Sequence, residues 1–477
     1  MPPQLALLAG VVFIIYAFRS DRQRDVGDTS GLFWPTLWYL VVSTRPVGYW
    51  LMIWNIPVLS GGGDGAEGSP IDRYFYTVLT IAGLRVLMRR RFDWGAAFRR
   101  NPWATALVVY MAASILWSHY PYVSFKRYIK IIGSVVMAFV VLSHERPLQA
   151  MCTVLRRCLY IHLPMSIICI KYFRSIGVGF DFGGATEWWN GIATTKNTLG
   201  QVLMLGVIYF FWEVRRHWAL YKWKNLHFAY LAMAVLLLKG SPESTISMTS
   251  ASVTLFGLLI FLRMQALRER PASVRPFVLS VFFGLAAVVI MIAVHSVSMF
   301  TPDSIFGHVI TAIGKDITMT GRTDIWHDVY AAASGNPLLG VGFGGFWIGR
   351  EVNIPWNANM TWVLNQAHNG YIETYLQLGL IGVFLLAGTL YSGLHKMLNS
   401  LADNFDLGCF RISVFLAIAF VNISESTYLR GDHHLWLMLQ IVLWSVPLAH
   451  PIVGGGELVE EEAPLLQPEP IDVSPSP

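Results

Sequence analysis

Ala367-His368-Asn369-Gly370-Tyr371-Ile372-Glu373 decides the reading of this chain, because it closes the polar stretch 300–369 and runs without a break into apolar sequence. A chain that is otherwise hydrophobic holds a long water-exposed loop only at one face of a bilayer. Arg322, His327, Arg350 and His368 are therefore expected at a membrane surface, where ionisable groups are costly unless they serve a purpose. The arrangement suits a protein that handles lipid-borne material.

The composition agrees. Of 477 residues, 54% are hydrophobic and 13% charged, against roughly 25% charged in soluble domains, and the mean hydropathy is +0.49. The expected fold is an all-α polytopic membrane protein. Apolar runs near 4–18, 32–54, 72–88, 103–118, 127–143, 151–171, 198–214, 226–240, 246–263, 276–298, 371–392, 408–424 and 434–450 give twelve or thirteen spans. The count turns on the second run, where Arg45-Pro46-Val47-Gly48 suggests a broken or re-entrant element. Aromatic residues such as Trp34, Trp38, Trp188-Trp189 and Trp436 suit the headgroup level. The first run lacks a cationic lead and a small-residue cleavage site, so a retained helix is expected.

Alternating the loops gathers Arg19/Arg22/Arg24, Arg89-Arg90-Arg91 with Arg99-Arg100, Arg215-Arg216 with Lys222 and Lys224, and Arg263/Arg268/Arg270/Arg275 on one side. The positive-inside rule makes that side the cytoplasm. The glycine-rich loop 61–68, the segment 172–197 and the long loop 300–369, with short helices of its own, then face outward. Lys126, Arg127 and Lys130 fall on the outer side against this trend; they contradict the topology or bind anionic lipid or glycan. Residues 1–456 read as one membrane domain, and 457–477, acidic and rich in Pro and Ser, as a disordered cytoplasmic tail.

Several classes are set aside. The net charge of +6 is spread in short clusters between apolar runs, which fits membrane orientation and not nucleic acid. Cys152, Cys158, Cys169 and Cys409 lie in or beside apolar runs without metal-ligand spacing. Gly340-Val341-Gly342-Phe343-Gly344-Gly345 has the glycines of a dinucleotide loop but no surrounding βαβ unit, so a tight turn is expected. No internal repeat is visible, and the triplets Glu243-Ser244-Thr245 and Glu425-Ser426-Thr427 are too short to argue transporter symmetry.

The outer loops hold the candidate chemistry. Gly321-Arg322-Thr323-Asp324 reads as a helix start capped by Thr323 or Asp324, with Ser334-Gly335-Asn336-Pro337 as its stop. Arg322 beside backbone N–H groups makes an anion site; the alternative is a surface pair with Asp324 or Asp328. Asn369 is the expected cap of the next span, with His368, Tyr371 and Tyr375 on one face and Asn369, Glu373 and Gln377 on another. Glu373, about one turn inside a span, is a functional candidate by its cost alone. His368 is either a proton acceptor or an interfacial ring bonded to backbone. Lys196 is a second phosphate contact or a snorkelling anchor. Lys239-Gly240-Ser241-Pro242-Glu243-Ser244-Thr245 is a further outward corner. So is Arg430-Gly431-Asp432-His433-His434, whose His pair lacks further ligands for a metal.

Together these motifs resemble the O-antigen polymerase and ligase superfamily, including exopolysaccharide polymerases of bacterial envelopes. The likeness lies in Thr195-Lys196-Asn197-Thr198-Leu199-Gly200, the Ser/Thr-rich stretch 241–252, Gly321-Arg322 followed by Trp326, Pro337-Leu338-Leu339-Gly340-Val341-Gly342, His368-Asn369-Gly370-Tyr371, and Leu378-Gly379-Leu380-Ile381-Gly382. It covers residues 190–430. The resemblance implies an inverting, metal-independent glycosyl transfer without cofactor, outside the bacterial cytoplasmic membrane. The donor is an undecaprenyl-pyrophosphate-linked saccharide and the acceptor a sugar hydroxyl. Arg322 and Lys196 would hold the pyrophosphate, with His368 or Glu373 as base and Asn197, Asn369, Tyr371 and Arg430 in support. Where many ligases carry an Arg before the second-loop motif, this chain offers Lys196 within it, which leans towards the exopolysaccharide-polymerase branch. Chain-length or export proteins are the partners such an enzyme implies. The alternatives are a ligase that moves finished glycan to lipid A-core, and a lipid-glycan flippase. The latter is disfavoured because the ionisable groups gather in loops and not at mid-membrane.

Overall fold

A computed structural model describes residues 1–22, 29–54, 56, 69–180, 187–216, 224–240, 247–295, 322–348 and 364–446. The expectations for loop 61–68, the corner 241–245, Gly321, Arg350, most of loop 300–369 and the tail 457–477 lie outside them.

Within the described residues, each of the thirteen apolar runs lies mainly on helix. In chain order these are α1 (Pro3–Arg22), α2 (Phe33–Ser43), α3 (Val47–Ile53), α4 (Pro70–Arg89), α5 (Trp94–Arg100), α6 (Pro102–Ala113), α7 (Pro121–Leu142), α8 (Pro147–Tyr172) and α9 (Arg174–Gly177). After a small ladder come α10 (Lys196–Arg216), α11 (Lys224–Lys239), α12 (Met248–Ala266), α13 (Val274–His295), α14 (Arg322–Ala333), α15 (Gly370–Asn399), α16 (Phe405–Val421) and α17 (His434–Leu443). Among the described residues, six helices are long and apolar enough to cross a membrane, including α8, α10 and α15, and three shorter apolar helices accompany them. The chain is an all-α multi-pass membrane protein. The ladder, β1 (Val178–Phe180) antiparallel to β2 (Glu187–Trp189), is an addition that the apolar pattern does not announce.

The second apolar run is broken, as Arg45-Pro46 suggests: α2 ends at Ser43 and α3 starts at Val47. Proline cannot donate a backbone N–H and biases the residue before it away from helix. Arg45 is buried and donates to the carbonyls of Ala193 (3.0 Å) and Ile176 (2.6 Å) and to the Tyr49 hydroxyl (2.8 Å). The break is thereby tied to the segment that leads into α10.

A second break decides how α15 is held. Gly379 has φ 63°, inside what is otherwise one long helix. The lost helical bonds are replaced by residues 337–342. Leu380 and Ile381 donate to the carbonyls of Pro337 (2.9 Å) and Leu338 (3.3 Å), while Val341 and Gly342 donate to those of Leu376 and Gln377 (both 3.0 Å). Backbone groups at membrane depth need such partners. Gly340 (φ 73°) and Gly379 pack so closely that a Cβ on either would collide with the facing backbone. The glycine pattern at 340–345 is therefore a backbone-docking device, in line with the expected turn. Gly379→Ala is expected to destabilise the protein by more than about 1–2 kcal/mol, since positive φ alone costs that much for a residue with a Cβ. Thermal unfolding in detergent, compared with Gly284→Ala, whose added Cβ meets nothing, checks this.

Candidate active site

Asn369 caps α15, its Oδ1 accepting from the N–H groups of Tyr371 and Ile372 (both 3.0 Å). Its other groups knit this corner to the loop after α16. The Asn369 N–H donates to Ser426 Oγ (3.0 Å), Nδ2 donates to the Ile423 carbonyl (2.9 Å), and the Gly370 N–H donates to the Asn422 carbonyl (2.8 Å). The Tyr371 hydroxyl donates to the Ala419 carbonyl (3.0 Å) and meets Tyr428 (3.3 Å). Two loops far apart in sequence thus become one rigid corner.

Residue 367 is clamped from both sides: its N–H donates to Glu373 Oε2 (2.7 Å) and its carbonyl accepts from Trp326 Nε1 (3.0 Å). His368 follows with φ 51°, a left-handed conformation that a non-glycine residue keeps only when its surroundings impose it. It stands before the helix and does not extend the Tyr371–Tyr375 face. Glu373 is buried, with Oε1 accepting from Trp347 Nε1 (2.7 Å) and Gln377 Nε2 (2.6 Å). Its carboxylate is fully occupied by fold contacts and does not line the cavity described below.

α14 starts at Arg322, so Thr323 and Asp324 sit within its first turn and not at its cap; it ends at Ala333, as the following Ser-Gly-Asn-Pro suggests. Arg322 pairs with neither Asp324 nor Asp328. Its Nη2 donates to Glu425 Oε1 at 2.7 Å. The same oxygen accepts from Asn197 Nδ2 (2.8 Å), and Glu425 Oε2 lies 3.5 Å from His368 Nδ1. With side-chain exposures of 17% for Arg322 and 6% for Glu425, this is a partly desolvated pair, well apart from a freely solvated one. Glu425 is the residue sequence reading passed over. It collects Arg322, Asn197 and His368 from three separate elements.

Beside this cluster lies a cavity of about 830 Å³, lined by Lys196, Asn197, His368 and Glu425 together with Tyr76, Lys126, Lys130 and Asp432. Arg430 also lines it, whereas Arg322, Asn369 and Tyr371 do not; Arg322 contacts the lining residue Glu425. Lys196 begins α10 and lies over the Trp188 ring (4.9 Å). Arg430 donates to Gln366 Oε1 (2.8 Å), and Gln366 Nε2 contacts His368 Nδ1 (3.3 Å). The cations that run against the charge trend have partners: Arg127 donates to the Gly344 carbonyl (2.6 Å), Lys130 pairs with Asp432 (3.4 Å), and Lys126 lies over Tyr122 (4.4 Å). Asp432 is 43% exposed beside the cavity, and Lys130, Arg430 and Arg127 around it outweigh its partial desolvation and hold the carboxyl well below the usual range. Partial desolvation and Arg430 lower His433 from its usual range, and its Nδ1 accepts the Leu435 N–H (3.2 Å). His327 is exposed beside Asp328 and takes no part. Among the described residues no group of three or more His, Cys, Asp or Glu is placed to hold a metal ion.

Chemically, the site joins permanent cations, a carboxylate and an imidazole at the edge of a large cavity, an arrangement suited to binding an anionic group and moving a proton. Residues 227–387 match the O-antigen ligase family. The chain is also 29% identical over 339 residues to the exopolysaccharide production protein ExoQ of Rhizobium meliloti (strain 1021), covering 68% of this chain and 73% of that protein.

Proposed function

We propose that this chain, which is similar to the O-antigen ligase family and to an exopolysaccharide production protein, joins undecaprenyl-pyrophosphate-linked saccharide units into exopolysaccharide or O-antigen at the outer face of the bacterial cytoplasmic membrane. The observation that carries this reading is the convergence of Arg322, Asn197 and His368 on Glu425 beside the large cavity. The outward orientation rests on α10, which bears Lys196 and Asn197 at one end and Arg215 and Arg216 at the other. Its 21 residues rise about 30 Å, the thickness of a hydrocarbon core. The arginine end belongs in the cytoplasm.

In this mechanism the acceptor hydroxyl oxygen attacks the anomeric carbon of the donor sugar from the face opposite the pyrophosphate. The bond between that carbon and the phosphate oxygen breaks, and its electron pair leaves with the lipid pyrophosphate. The hydroxyl proton passes to His368, whose ring Glu425 orients from the Nδ1 side. Arg322 spends one donor on Glu425 and keeps others of its fork for phosphate oxygens. Lys196 adds a second charge. Such fixed cations lower the barrier by several kcal/mol as negative charge gathers on the leaving group. Glu373 acts as a positioning residue through Ala367, and Asn369 and Tyr371 hold the corner. The departing group is already charged and lipid-anchored, so the step is complete without a metal or nucleotide.

The test is the profile of lipid-linked and surface glycans in a deletion strain carrying wild type, Arg322→Ala or Arg322→Lys at matched expression. Polymerase activity predicts single repeat units accumulating on the carrier in both variants, because Lys lacks the planar fork. Full-length lipid-linked glycan without its final acceptor means a ligase, and unchanged profiles from both variants return the chain to transport.

A further inference from the structure

At the far end of α10 from the candidate site, a groove of about 690 Å³ opens between α10, α11 and α12. Phe211, Phe228, Leu231 and Phe261 form its apolar wall, and Arg215, Arg216 and Arg268 its polar rim. The acid at that rim, Asp406, is already engaged by Arg268 (3.5 Å) and Gln265 (3.0 Å). Arg216 lies over the Trp212 ring (5.4 Å). Among the described residues no acid pairs with Arg215 or Arg216, and both are exposed. The groove therefore offers two guanidinium groups above an apolar slot, at the depth where α10 leaves the hydrocarbon core.

We propose that this groove binds an anionic glycerophospholipid, with its phosphate between Arg215 and Arg216 and an acyl chain against Phe211, Phe228, Leu231 and Phe261. The apolar wall accepts any acyl chain, so selectivity comes from the charged rim. A zwitterionic headgroup brings its own cation to that rim and forfeits the net attraction. The proposal stands apart from the glycosyl-transfer reading, since it concerns the opposite membrane face.

The test is native mass spectrometry of the purified full chain with equal amounts of phosphatidylglycerol and phosphatidylcholine of identical acyl chains. Wild type is expected to retain phosphatidylglycerol selectively. Arg215→Gln/Arg216→Gln is expected to lose about thirtyfold of that preference, from about fivefold per charge near an anionic surface. Arg263→Gln/Arg270→Gln, exposed residues outside the groove, should keep it. Equal binding of the two lipids by wild type overturns the proposal, and so does an equal loss in the second pair, which would mean surface charge alone. Selective displacement of phosphatidylglycerol by undecaprenyl phosphate also overturns it, because the groove would then hold the carrier. The wild-type competition decides the matter even where the groove variant does not fold.

Discussion

Glu425→Gln is expected to lower glycan transfer by about 10²–10³-fold while leaving the protein folded, the loss typical of removing one preorganised electrostatic group. Glutamine keeps an oxygen for Asn197 but removes the charge that fixes Arg322 at 2.7 Å and faces His368 at 3.5 Å. Glu425→Ala goes further: it strips a partly buried pair of one partner, which costs about 3–5 kcal/mol when the remaining charge stays desolvated. Arg322 retains 17% exposure, so the lower end of that range is expected. Turnover of a purified lipid-linked donor, read beside detergent thermal unfolding, separates the two effects. Full turnover by Glu425→Gln would remove the carboxylate from the mechanism.

The second large effect belongs to His368→Gln. Loss of a general base costs about 10²–10⁴-fold in rate, and glutamine offers hydrogen bonds of similar reach without a titratable nitrogen. Donor binding, measured by retention of the lipid-linked saccharide, should stay near wild type because Arg322 and Lys196 are untouched. A variant that binds weakly and turns over normally when saturated would make His368 a donor contact and not the base.

Much of the scaffold was legible because hydrophobic runs and proline carry local physical meaning. The break after Ser43, the cap at Asn369 and the stop after Ala333 all follow from neighbouring residue types. Glu425 was not legible, since its partners lie 103 residues away at Arg322 and 228 away at Asn197, and no periodicity encodes such contacts. The available signal was an acid between two apolar runs at the same membrane face as Arg322 and His368. Glu373 shows the converse. Its cost near the membrane was evident, but three donors from Trp347, Gln377 and Ala367 satisfy it within the fold. Expense marks a residue as purposeful without saying whether the purpose is chemical or architectural.

The exchange between residues 337–342 and the break at Gly379 has a consequence for biogenesis. Residues 337–342 leave the ribosome before α15 does, yet the helix needs them. Until they dock, the carbonyls of Leu376 and Gln377 and the N–H groups of Leu380 and Ile381 lack the partners seen in the finished fold, at several kcal/mol each in hydrocarbon. A nascent α15 therefore inserts either as an unbroken helix that later opens, or beside residues 337–342 already in place. In both routes the final backbone pairing of α15 waits on residues 337–342.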